Sequence, residues 1–225
     1  DKLAHVLGAD KAVPALQPAR RPVRPRGKLT PAKVCKAVGH LLPDNAIVVD
    51  EAITSGLMLG VMTAGAPRHD LLTLTGGAIG QGLPSAVGAV IACPDRPVLA
   101  LIGDGSAMYT IQSLWTQARE KLDVTAIIFN NASYSVLNVE LERVGADRIG
   151  PKALSQLDLR KPVLDFARLA QGMGVHAARA DTAEDFCKAL EYALAHPGPH
   201  LIEALVPESL GGAKRRVLPW MLRAL

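Results

Sequence analysis

The chain has 225 residues, 49% of them apolar and 4% aromatic, with a net charge of +4. That length suits one domain with a large core, and no run approaches the ~20 apolar residues that cross a membrane. The basic excess gathers at Arg20, Arg21, Arg24, Arg26 and Lys28 and at Lys214, Arg215, Arg216 and Arg223. The first group has no interleaved aromatic residues, so it reads as a solvated segment, and neither nucleic acid nor a membrane is an expected partner.

The amino terminus carries no signal-peptide pattern. Cys35, Cys93 and Cys187 lie far apart without metal-ligand spacing. They read as reduced thiols of a cytoplasmic protein.

Residues 1–28 are rich in Pro and Arg and read as an extended linker. Thr30 followed by Pro31 is a helix start signal. Residues 47–50 form a short apolar strand ending at Asp50-Glu51. His69 and Asp70 read as a surface loop. Four glycines (Gly76, Gly77, Gly80, Gly82) precede a helix over 83–93. The run 98–102 is a buried strand that stops at Gly103-Asp104-Gly105. Residues 106–121 read as one helix, with Ile111, Leu114, Trp115 and Ala118 at helical spacing. The run 124–129 is another strand, ending at Asn130-Asn131. Farther on, a helix over 162–173, a strand over 175–179, a helix over 182–196 and a strand over 200–206 complete the alternation. This order predicts an α/β fold, a doubly wound parallel sheet with helices on both faces. The divisions expected are the linker 1–28, a domain over 29–207 and a tail over 208–225 containing Trp220, Met221 and Leu225.

Two turns carry the chemistry. Strand, turn, helix, strand and turn place Asp104 and Asn131 at the carboxyl ends of neighbouring parallel strands, where open sheets bind ligands. Gly103 and Gly105 let the backbone turn sharply and approach a ligand. The following helix aims free N–H groups at the same spot, which suits phosphate. Asp104 and Asn131 offer hard oxygens, which suit Mg²⁺ or Ca²⁺. Taken alone, Asp104 is equally a helix cap and Asn130-Asn131 a turn. Their spacing together with the glycine cluster favours a Mg²⁺-diphosphate site. No GxxxxGK[ST] motif points to an NTPase. Glu51 reads as a supporting rather than a catalytic carboxylate.

The stretch from Gly103 to Asn131 resembles the signature of thiamine-diphosphate enzymes, a GDG followed at the right distance by NN. The segment from Gly76 to Pro84 resembles the one preceding it in the benzoylformate decarboxylase and acetolactate synthase group. Asn130-Asn131-Ala132-Ser133-Tyr134 and Gly172-Met173-Gly174-Val175 fit that group too. The resemblance spans roughly residues 29–207, the diphosphate-binding (PP) domain of such enzymes.

The resemblance implies roles residue by residue. Asp104, the Asn131 side chain and the Ser133 carbonyl would bind Mg²⁺. Gly105, Ser106, Tyr134 and Ser135 would cradle the diphosphate, with Gly103 shaping the turn. Thr54 would add a contact, although Ile53 stands where relatives often carry another hydroxyl. The Gly77 carbonyl would accept from the cofactor's 4'-amino group. Ile79 would wedge the cofactor into its bent shape, a role that suits a side chain stiff at χ1. Val136, Val139 and Glu140 match positions lining the substrate pocket. Glu140 stands near the place where benzoylformate decarboxylases offer an aromatic residue, which argues against benzoylformate itself.

The implied activity is decarboxylation of a 2-keto acid, finished by protonation or, in a carboligase, by addition to a second carbonyl. A module that binds cofactor without turnover is the alternative of another class. The activating glutamate belongs to an aminopyrimidine-binding (PYR) domain that the chain does not contain. We therefore expect the C-terminal part of a longer enzyme, or one half of a split one, acting as a homodimer or homotetramer.

Overall fold

Six strands, β1 (Ala46–Glu51), β2 (His69–Thr73), β3 (Val98–Gly103), β4 (Val124–Asn130), β5 (His176–Ala180) and β6 (His200–Leu205), form one sheet. Its order is β2-β1-β3-β4-β6-β5, and every pairing is parallel. The computed structural model describes residues 2–9, 12–13, 17–145 and 150–208, so the tail from 209 onward lies outside the described residues.

Ten helices accompany the sheet among the described residues: α1 (Lys2–Val6), α2 (Pro31–Leu41), α3 (Leu59–Thr63), α4 (Gly82–Ala92), α5 (Asp104–Thr110), α6 (Ser113–Arg119), α7 (Ser135–Arg143), α8 (Pro151–Ser155), α9 (Phe166–Gly172) and α10 (Ala183–Ala195). None is long and apolar enough to cross a membrane.

The central strands are buried on both faces, as the continuous apolar runs of a covered parallel sheet require. On β3, Leu99 and Leu101 pack with Val34, Cys35, Phe186 and Leu190 beneath α2 and α10. Val98, Ala100 and Ile102 pack with Leu83, Leu114 and Phe166 beneath α4, α6 and α9. Each fully buried Leu or Phe adds about 1.5–3 kcal/mol of transfer free energy.

Side-chain caps fix where the helices begin. Thr30 Oγ1 accepts from the Lys33 amide at 3.3 Å, Asp165 Oδ1 from Arg168 at 2.9 Å and Thr182 Oγ1 from Asp185 at 3.1 Å. Each is worth roughly 1 kcal/mol.

Four expectations need correction. The helix read over 106–121 is two helices, α5 and α6, broken at Ile111-Gln112, and the first begins at Asp104. The helix read from 162 begins at Phe166, where the Asp165 cap sets the start. His69 and Asp70 lie in edge strand β2, not in a loop. There His69 Nδ1 sits 2.8 Å from the Pro67 carbonyl, and Asp70 pairs with Arg96 at 2.6 Å. Finally, the Pro/Arg-rich segment contains α1, and its later part is docked. The Arg20 amide donates to the Gly65 carbonyl at 3.0 Å, Arg24 pairs with Glu191, and the Gly27 amide donates to Glu184 at 2.9 Å.

Candidate functional site

The strand order reverses between β1 and β3. The chain leaves β1 toward β2 on one side and leaves β3 toward β4 on the other, so the loops diverge and open a crevice at the carboxyl ends. That crevice is lined by Ile53 and Thr54 after β1, Ile79 from the glycine loop, Gly103, Gly105 and Ser106 after β3, and Asn131, Ser133, Tyr134, Ser135 and Val136 after β4. It encloses only about 50 Å³. Sites for small molecules enclose about 300–1,000 Å³, so this is one wall of a binding site.

Asp104 ties two of these loops together. Its Oδ1 accepts from the Gly105 amide at 2.8 Å and its Oδ2 from the Ala132 amide at 2.6 Å. The residue is 3% exposed. Burial pushes its carboxyl up to about 6, against the opposing pull of the Gly105 and Ala132 amides. The bonds present therefore under-compensate the buried negative charge, and a cation beside it would be favourable. Asn131 Oδ1 accepts from the Ser133 amide at 2.9 Å, and its Nδ2 lies 3.5 Å from Ser55 Oγ. Ala132, between them, adopts φ +56. The donors gathered here are hard oxygens, the set that suits Mg²⁺.

The turn after β3 is crowded. A Cβ on Gly105 would meet the Tyr134 ring at 2.4 Å. Ser135 Oγ is buried without a hydrogen-bond partner among the described residues, while its residue lines the crevice. A buried hydroxyl left unpaired costs about 1–3 kcal/mol, which an oxygen-rich ligand would recover. Burial also raises the Tyr134 hydroxyl above its usual range. At the end of β1, Ile53 holds φ +49, an uncommon conformation for a β-branched residue. The Asp50 carboxylate braces this turn by accepting from the Ala52 amide at 3.0 Å. Strain of about 1–3 kcal/mol of this kind gathers at ligand sites.

A second tier holds the walls. The buried Glu51 carboxylate accepts from the Gly80 amide and, at 2.7 Å, from the Gly82 amide. Thr110 Oγ1 donates to the Gly80 carbonyl at 2.8 Å. Glu51 thus has the supporting role expected of it, fastening the loop that presents Gly77 and Ile79. Gly77 itself has φ +73, and a Cβ there would meet nothing, so its glycine answers to backbone conformation, not crowding.

Asn130 and Asn131 divide their work. Asn130 Nδ2 donates to Glu203 Oε1 at 2.7 Å, away from the crevice. Glu203 is fully buried and also pairs with Arg179 at 2.9 Å across the β5–β6 register. Sequence reasoning did not single out Glu203, Arg179 or Thr110. Two charged residues inside apolar strands were the available signal.

Of the residues matched to a substrate pocket, only Val136 reaches the crevice. Val139, within α7, is 2% exposed, and Glu140 pairs with Arg143 at 2.6 Å on the same helix. Neither lines the crevice, although both share a helix face with Val136. A larger cavity of about 590 Å³ lies along the same loop, between Asn131, Ser133 and Asn138 on one side and Pro151, Asp158 and Arg160 on the other. It lacks Gly103, Gly105, Ser106 and Ser135, so the smaller crevice is the one that fits phosphate chemistry.

Comparison with known proteins decides the family. The thiamine pyrophosphate enzyme, C-terminal TPP binding domain, matches residues 55–204. The chain belongs to this family. It is 58% identical over 194 residues to IlvX of Mycobacterium tuberculosis (strain H37Rv), provisionally named an acetolactate synthase large subunit; the match covers 86% of this chain and 38% of that one. It is 36% identical over 177 residues to the benzoylformate decarboxylase of Pseudomonas aeruginosa, covering 79% and 32%. A solved structure of the thiamine diphosphate-dependent 4-hydroxybenzoylformate decarboxylase of Rhodococcus jostii RHA1 superposes with a TM-score of 0.74 at 36% identity, covering 88% and 36%. The chain thus spans about a third of the length of these relatives.

Proposed function

We propose that this domain forms the Mg²⁺-diphosphate half of a thiamine-diphosphate-dependent 2-keto acid decarboxylase and needs a PYR domain for turnover. The observation that carries the reading is Asp104, a buried carboxylate at the strand-order switch point, locked to the loop that carries Asn131.

Asp104, the Asn131 amide oxygen and the Ser133 carbonyl would hold Mg²⁺. Gly105, Ser106, Tyr134, Ser135 and Thr54 would hold the diphosphate, with Gly103 keeping the turn tight. Bound cofactor supplies the electron sink that decarboxylation needs. The protein's own contribution is position: Glu51 and Thr110 fix the loop offering Gly77 and Ile79, and Val136 would give the crevice an apolar wall. Val139 and Glu140 have no direct part in this reading.

The PYR domain would complete the crevice from the same or another chain. The exposed apolar residues Leu57, Leu71, Leu72, Tyr109 and Leu137 are the surface offered to it, and they favour a homodimer or homotetramer. An acetolactate-synthase-like carboligase is the second reading, favoured by the IlvX similarity.

The test is to supply a PYR-type segment and assay 2-keto acids with Mg²⁺ and thiamine diphosphate. Aldehyde and carbon dioxide as products support the decarboxylase. A 2-hydroxy-2-substituted keto acid as product supports the carboligase. No turnover by the completed enzyme, with cofactor bound, would overturn both.

A further inference from the structure

The amino-terminal edge of the sheet carries a second cluster of chemically capable side chains, remote from the crevice. His176 and His200 are the first residues of β5 and β6 and are register partners. The crevice lies at the other end of the same sheet, about 17 Å of strand away. The two rings meet edge to face, 69° apart in plane, with their Nδ1 atoms 3.3 Å apart. They open into a pocket of about 260 Å³ between the sheet edge and α10.

Three observations fit chelation of a metal ion as well as a hydrogen bond between the rings. The first is the spacing. Two nitrogens on one tetrahedral ion, each at about 2.0–2.1 Å, stand about 3.3–3.4 Å from each other. The second is the tautomer. His200 Nε2 sits 2.7 Å from the His196 carbonyl, which can only accept. The Nε2 atom therefore carries the proton, and the lone pair of neutral His200 lies on Nδ1, toward His176. Metal-bound histidines are typically oriented in this way, by donating the far N–H to a carbonyl or carboxylate. The third is rigidity. The Tyr192 ring stacks on His176 at 5.0 Å, and His196 stacks on Tyr192 at 4.0 Å. His200 is 6% exposed and fixed in the strand, while His176 is reachable from solvent.

We propose that His176 and His200 form a transition-metal site that takes an imidazole-preferring divalent ion, such as Zn²⁺, through both Nδ1 atoms. Among the described residues no third His, Cys, Asp or Glu side chain converges on the same point. The remaining positions of a bound ion would be left to water, which would make the site exchangeable rather than structural. Imidazole ligands select Zn²⁺, Cu²⁺ or Ni²⁺ over Mg²⁺. This site and the Mg²⁺ site thus accept different ions, and the inference does not rest on the cofactor reading.

The test is a calorimetric titration of Zn²⁺ alone into the untagged chain at neutral pH, with Mg²⁺ in large excess. His176→Gln, His200→Gln and His69→Gln chains are run beside it. One saturable Zn²⁺ site is expected. It should weaken by more than about tenfold in His176→Gln and persist in His69→Gln. Zn²⁺ should also raise the melting temperature of the parent chain and not that of His176→Gln. Should His200→Gln fail to fold, the solvent-facing His176→Gln chain decides the matter. No saturable Zn²⁺ binding, or equal binding by His176→Gln, would overturn the proposal and leave an ordinary hydrogen-bonded histidine pair.

Discussion

Glu51 Oε2 accepts the Gly82 amide at 2.7 Å, joining the end of β1 to the start of α4 across 31 residues of chain. The same carboxylate accepts the Gly80 amide. Two buried amides therefore depend on one side chain. Glu51→Ala should cost about 3 kcal/mol in urea unfolding, because both amides lose a charged partner. Glu51→Gln should cost less. Both variants should weaken thiamine diphosphate binding through the displaced loop, and unchanged stability in Glu51→Ala would remove Glu51 from this role.

The two adjacent asparagines should separate in experiment. Asn130→Ala removes the 2.7 Å bond to buried Glu203 and should lower stability by about 1–3 kcal/mol. Asn131→Ala loses the bond to the Ser133 amide, should lower stability by only about 0.5–1.5 kcal/mol and should reduce Mg²⁺-dependent cofactor binding. Equal effects of the two variants on binding would contradict the division of labour.

Gly105 is demanded by space. A Cβ there would meet the Tyr134 ring at 2.4 Å. Gly105→Ala should destabilise by about 1–3 kcal/mol, as overpacking does. Combining it with Tyr134→Ala should recover much of that loss. A double-mutant cycle showing simple additivity would place the conflict elsewhere.

The thiols give a pH prediction. Burial pushes Cys35 up to about 12, with the Asp50 charge adding to it, and burial also raises Cys187. Because these folded values exceed the unfolded ones, their stabilising contribution is complete below the ordinary thiol range near 9. It is lost as pH climbs from there toward about 12. A disulfide reagent at pH 8 should therefore modify only half-buried Cys93 quickly in the native chain, and all three thiols after denaturation. Rapid modification of three native thiols would refute the packing described around Cys35.

Legibility in the sequence followed burial and local rules. The runs 98–102 and 124–129 were readable as strands because a parallel sheet covered on both faces needs unbroken apolar residues. The GDG turn and Asn131 were readable because close backbone approach and hard-oxygen ligands admit few residue types. Edge strand β2 was not, since Leu71 and Leu72 are over 40% exposed and no alternation marks them. The break between α5 and α6 was hidden because Ile111 and Leu114 keep helical spacing through it. The Glu51 clasp and the Glu203–Arg179 pair depend on contacts between distant segments, which no local pattern encodes. For the substrate pocket, position after Asn131 suggested Val139 and Glu140, and the fold buries the first and pairs the second with Arg143, so neither lines the crevice.

The central claim is that Asp104 and Asn131 form a Mg²⁺-diphosphate site on this chain. The most direct measurement is a calorimetric titration of thiamine diphosphate, with and without Mg²⁺, into the parent and Asp104→Ala chains. The account predicts saturable binding by the parent only when Mg²⁺ is present, and its loss in Asp104→Ala. Binding that ignores Mg²⁺, or that is undiminished in Asp104→Ala, would contradict it.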